Sequence, residues 1–145
     1  MIEAWFDGAC GPINPGGIAS YGILIKHKGN ILYQETRRIG TPPHTTNNLA
    51  EHAGLRAVLR WLIDNNHTQR KIHIFGDSNL VISQVFGTQR TKKGHAFFGT
   101  WKIKKGIYKE IALENQKLRQ SFPDIKGTWI PRELNTECDC LSKAI

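Results

Sequence analysis

One stretch constrains this chain more than any other: Ile2-Glu-Ala-Trp-Phe-Asp7, followed at once by Gly8-Ala-Cys-Gly-Pro-Ile-Asn-Pro-Gly-Gly17. The apolar run reads as a buried strand, Ile2–Phe6, and it ends on a carboxylate. The Gly- and Pro-rich segment then turns the chain. Asp7 is therefore expected at the rim of a sheet. Three further acids fall at expected strand ends or helix starts, so the spacing of the other elements decides whether they converge on it.

Ile18–Ile25 and Ile31–Ile39 are rich in β-branched and aromatic residues and are joined by Lys26-His-Lys-Gly-Asn30, a hairpin signal. Gly40-Thr-Pro-Pro-His-Thr-Thr46 is a loop, because consecutive prolines suit neither helix nor ladder. From Asn47 or Asn48 to about Asn65 the pattern turns helical, with an Asn cap, Glu51 three residues on, and Asp64-Asn-Asn66 as the stop. Lys71–Gly76 is a short strand closing on Asp77, and Ser78 opens a helix through Leu80, Val81, Ile82 and Val85. Trp101–Gln120 is a second long helical stretch. Gly127–Ile130 is a last strand. Asn135–Ile145 is a terminal helix with Leu134, Cys138, Leu141 and Ile145 on one stripe.

The order β-β-β-α-β-α-α-β-α implies an α/β fold. Its core is a mixed five-stranded sheet, an antiparallel hairpin region plus parallel strands, with helices on both faces. No composition break divides the 145 residues, so residues 1–145 are expected to form a single domain.

The formal net charge of +8 points to a polyanionic partner, since Lys and Arg release phosphate counterions on binding; a merely soluble basic surface is the alternative. Much of that charge falls in one place. Phe86-Gly-Thr88 recurs as Phe98-Gly-Thr100, and around the second copy lie Arg90, Lys92, Lys93, His95, Lys102, Lys104 and Lys105. This basic insert, about 88–105, reads either as a handle on a phosphate backbone or as a solvated loop. Cys10, Cys138 and Cys140 lack the number and spacing of a disulfide framework or a zinc site, and are expected to be reduced. No apolar run reaches the membrane-spanning length and the first residues lack a signal-peptide pattern, so the expected location is cytoplasmic.

Each acid has a local explanation. Asp7-Gly8 would start a turn, Glu51 would complete a capping box with Asn48, Asp77 would cap a helix, and Asp139 would stabilise a first helical turn. Glu51 strains its explanation. It heads the apolar stripe Leu55, Val58, Leu62, which should press on the sheet, and a carboxylate there needs a cation or a shifted pKa. Asp7 and Asp77 share the edge where open α/β sheets place their sites. Carboxylates gathered on one rim suit hard cations, Mg²⁺ or Mn²⁺. A pair of such ions about 3.5–4 Å apart is the arrangement for in-line phosphoryl displacement. Together with a basic surface, this makes phosphodiester hydrolysis the economical reading.

Four motifs then carry a resemblance over nearly the whole chain: Asp7-Gly-Ala-Cys-Gly-Pro-Ile-Asn14-Pro-Gly-Gly, Thr45-Thr-Asn-Asn-Leu-Ala-Glu51, Phe75-Gly-Asp77-Ser78 and Trp129-Ile-Pro-Arg-Glu-Leu-Asn135-Thr-Glu-Cys-Asp139-Cys-Leu. In their order and spacing they resemble type 1 ribonuclease H. The resemblance implies an endonuclease that cuts the RNA strand of RNA–DNA hybrids, without strong sequence specificity, leaving 5′-phosphate and 3′-hydroxyl ends. It implies two divalent cations, Mg²⁺ or Mn²⁺, held by Asp7, Glu51, Asp77 and Asp139. It places Asn14, Asn47 and Asn48, with backbone near Cys10 and Gly11, in the hybrid's minor groove, and puts Thr46 and Ser78 with the substrate-binding set. Amides suit that task because they both donate to and accept from 2′-hydroxyls. No protein partner is implied, and a monomer is expected.

The chain departs from the family in two places. The loop before the last acid, Pro131-Arg132-Glu133-Leu134, contains none of the six histidines, where many members place one. Arg132 is similar to the arginine of another subgroup and would hold the scissile phosphate, but a guanidinium cannot act as a base. Glu133 would either shuttle a proton or be a solvated loop acid. The basic insert does not match the family's basic protrusion residue by residue, so Lys92 and Lys93 are phosphate contacts by charge alone. Two alternatives remain open: a non-catalytic hybrid-binding module, and another nuclease of the wider ribonuclease H-like fold.

Overall fold

The computed structural model describes residues 1–11, 18–40, 46–87 and 108–142. Strands β1 (Ile2–Gly11), β2 (Ile18–His27) and β3 (Asn30–Gly40) precede α1 (Asn47–Asp64). Then come β4 (Ile72–Gly76), α2 (Asn79–Phe86), α3 (Lys109–Arg119), β5 (Ile125–Trp129), a 3₁₀ turn at Arg132–Leu134, and α4 (Thr136–Ser142). One five-stranded sheet runs in the order β3-β2-β1-β4-β5. The β1–β2 and β2–β3 pairs are antiparallel, and the β1–β4 and β4–β5 pairs are parallel. The expected mixed sheet is present.

The strands of the hairpin region are longer than the sequence suggests. Only Lys28 and Gly29 connect β2 to β3, both with positive φ (51° and 81°). That is the backbone of a tight two-residue hairpin turn. Likewise β1 does not stop at Phe6. Gly8–Gly11 stays extended because it pairs with Tyr21–Ile18 of β2. Asp7 therefore sits inside a strand rather than at its end. What ends there is the parallel ladder, whose last row is Phe6 opposite Gly76.

Helix α1 lies across the sheet. Leu55, Val58, Leu59 and Leu62 are fully buried against Phe6, Ile23, Ile25 and Ile74, as the stripe predicts. The opposite face carries α4, which seats on Gly22: a Cβ there would stand 2.5 Å from that of Leu141. Cys138 of α4 is fully buried, but Leu134 is 67% exposed. The expected stripe over Leu134, Cys138, Leu141 and Ile145 thus fails at its first member. Leu134 belongs to the 3₁₀ turn, and Asn135 (φ −113°, ψ 32°) breaks the phase before α4 begins. Ile145, Asn14 and the basic insert with Lys92 and Lys93 lie outside the described residues. Among the described residues, no helix is long and apolar enough to cross a membrane.

Candidate active site

Strand register places the first two acids. With Phe6 paired to Gly76, the next residue on each parallel strand is a carboxylate, Asp7 and Asp77. The third arrives with α1. That helix is capped by Thr46, whose hydroxyl accepts from the Leu49 N–H at 3.1 Å, and not by Asn47 or Asn48. With the cap at Thr46, Glu51 stands five residues away and cannot close a capping box. Its side chain is left for the sheet edge. There α1 nearly touches β1: a Cβ on Gly8 would stand 2.3 Å from the Glu51 nitrogen. Only a residue without a side chain permits that approach.

Carboxylate oxygens of Asp7, Glu51 and Asp77 lie within 4.8 Å of one another. Asp7 and Glu51 are buried, with 4% and 7% exposure, and one Glu51 oxygen has no hydrogen-bond partner. Asp139, in the first turn of α4, lines the same cleft of about 470 Å³ and acts electrostatically on Asp7. Asp77 does not cap the helix that follows it. That task falls to Ser78, whose hydroxyl accepts from the Val81 N–H at 3.3 Å.

Crowding of like charge in a buried place raises proton affinity. Burial first, then Asp77 and Asp139, push the Asp7 carboxyl up to about 7. Burial, then the charges of Asp7 and Asp77, hold Glu51 well above the ordinary carboxylate range. Asp77 is also raised by burial, partly offset by a hydrogen bond from Asn135 and the charge of Arg132. An all-oxygen set with an orphaned buried Glu51 oxygen fits a hard divalent cation, which would relieve both the repulsion and the missing bond. Among the described residues, Asp7, Glu51 and Asp77 offer that set, and Asp139 lines the same cleft.

Of the expected substrate-binding residues, Cys10, Gly11, Asn47 and Arg132 line the cleft. Asn48 is half-buried and off its wall, and Thr46 and Ser78 serve as helix caps. Glu133 is exposed on the 3₁₀ turn, away from the cleft wall. Two residues escaped the sequence reading. The Trp129 indole N–H donates to the Asp77 carbonyl at 3.0 Å, and the buried Asn135 amide reaches Phe6 and Asp77. The sequence places Asn135 inside the terminal helix Asn135–Ile145, where nothing marks its contact with Asp77.

A sheet of this order, with acids gathered where its parallel ladder ends, defines an α/β fold of the ribonuclease H-like class. The sequence model of the family described as reverse transcriptase-like matches residues 6–145. The chain is 30% identical over 131 residues to the bifunctional protein Rv2228c of Mycobacterium tuberculosis, covering 89% of this chain and 31% of that one. It thus spans about a third of the length of that curated relative. Among solved structures, it is similar to RNase H1 from the halophilic archaeon Halobacterium salinarum NRC-1 (TM-score 0.76, 28% identity, covering 97% of this chain and 92% of that one). It is also similar to LC11-RNase H1 solved in complex with an RNA/DNA hybrid (TM-score 0.77, 27% identity, covering 97% and 93%). This chain belongs to the reverse transcriptase-like family and, within it, to the type 1 ribonuclease H group.

Proposed function

We propose that this domain hydrolyses the RNA strand of RNA–DNA hybrids without strong sequence preference, leaving 5′-phosphate and 3′-hydroxyl ends. The observation that carries the reading is the meeting of Asp7, Glu51 and Asp77 within 4.8 Å, with Asp139 on the same cleft. Two divalent cations held by these acids, Mg²⁺ or Mn²⁺, would supply an activated water and stabilise the leaving oxygen. The chain's own residues bind and orient. Asn47 on the cleft wall, with Asn14 and Asn48 from the same motifs, offers amides to 2′-hydroxyls, and the backbone at Cys10 and Gly11 follows the minor groove. Arg132, also on the wall, holds a phosphate and stays protonated, so it moves no proton. Glu133, exposed on the neighbouring 3₁₀ turn, is the candidate for proton transfer. Lys92 and Lys93 add phosphate contacts by charge.

Binding of a hybrid by LC11-RNase H1 supports the substrate class. The domain would act as a monomer in the cytoplasm. Asp7→Asn tests the reading directly. Cleavage should be abolished while hybrid binding is kept or tightened, because one negative charge facing phosphates is gone. Turnover equal to that of the unaltered protein would remove Asp7 from the site.

A further inference from the structure

The four acids come from four elements, and three of those elements are held by the main core. Asp139 is the exception, riding on a helix of seven residues on the far face of the sheet. Beside its own contact with Asp7, a neighbouring side chain links it to the others. Asn135 is 2% exposed, and its amide nitrogen lies 2.9 Å from the carbonyl of Phe6 and 3.4 Å from Oδ2 of Asp77. Both neighbours are acceptors, so the amino group must face them and the amide orientation is not arbitrary. The Asn135 carbonyl accepts the Asp139 N–H at 3.0 Å, while its own N–H donates to Arg132 at 3.0 Å. A single residue therefore touches the strand position before Asp7, the carboxylate of Asp77 and the backbone of Asp139. Its Oδ1 is buried without a hydrogen-bond partner, a cost that packing alone does not explain.

We propose that Asn135 is a positioning residue of the metal centre, clamping Asp77 and Asp139 to the end of β1. The proposal rests on the functional reading above. By occupying one oxygen of Asp77, the amide turns the other toward the cluster, and its backbone sets where Asp139 can reach. Partners of this kind orient ligating carboxylates, and losing one typically weakens metal affinity about 10- to 100-fold.

The test is calorimetric titration of Mg²⁺ into the full chain without nucleic acid, for the unaltered protein, Asn135→Ala and Asn135→Ser, with circular dichroism to confirm folding. Either folded variant should bind Mg²⁺ at least about tenfold more weakly. Its kcat on hybrid should fall while KM stays unchanged. Mg²⁺ should also raise its Tm by less than it raises that of the unaltered protein. Affinity unchanged from the unaltered protein, with a Tm lowered equally in Mg²⁺ and EDTA, would reduce Asn135 to a packing residue and overturn the proposal. Absence of Mg²⁺ binding in the unaltered protein would instead overturn the metal-centre reading itself, and the clamp with it.

Discussion

The proton on Asp7 reports on the crowding of the acids. Its carboxyl moves from an ordinary 3.8 to about 7, chiefly through burial and then through Asp77. Between those values the folded chain binds more protons than the unfolded one, so stability is full at the acid end and is lost as pH rises toward neutrality. In EDTA, Tm should therefore decline across that window. Asp7→Asn should flatten the decline and leave the protein more stable than its parent above neutral pH. Parallel pH profiles for the two proteins would contradict the buried-charge account. At this scale, the sequence revealed Glu51 because the acid heads the stripe Leu55, Val58, Leu62. It could not reveal Gly8, whose 2.3 Å constraint exists only once α1 meets β1. Nor could it choose between Thr46 and the asparagines as cap. All are good caps, and the extended backbone of Thr46 (φ −141°, ψ 163°) decides it.

Helix α1 is the element that sets the site, since its buried stripe fixes how far Glu51 projects over the sheet edge. Leu55, one turn below Glu51, is fully buried. Leu55→Ala should cost about 2–5 kcal/mol of stability, read as a lower denaturation midpoint with an unchanged m-value. A loss below about 0.5 kcal/mol would mean that the helix does not press on the sheet as described. Existence and order of the elements were legible because their hydrophobic periods are strong, as in Ile2–Phe6 and Leu55–Leu62. Lengths were less so. Gly8–Gly11 has little strand propensity of its own and is extended only because β2 lies beside it. The apolar pattern puts Leu134 on a buried stripe because the 3₁₀ turn that exposes it leaves no mark in that pattern.

Over the whole molecule, a chain of net charge +8 brings Asp7, Glu51 and Asp139 into one cleft. The net positive charge suits a polyanion, and the acidic cleft suits cations that meet the polyanion's phosphates. Neither half explains the other without catalysis, because a pure binder gains nothing from carboxylates facing phosphate. Cleavage of an end-labelled RNA–DNA hybrid, beside matched double-stranded RNA and DNA and with Mg²⁺, Mn²⁺ or EDTA, tests this most directly. The hybrid's RNA strand alone should be cut, and only when metal is present. Tight hybrid binding with no cleavage in either metal, or cleavage that survives EDTA, would contradict it.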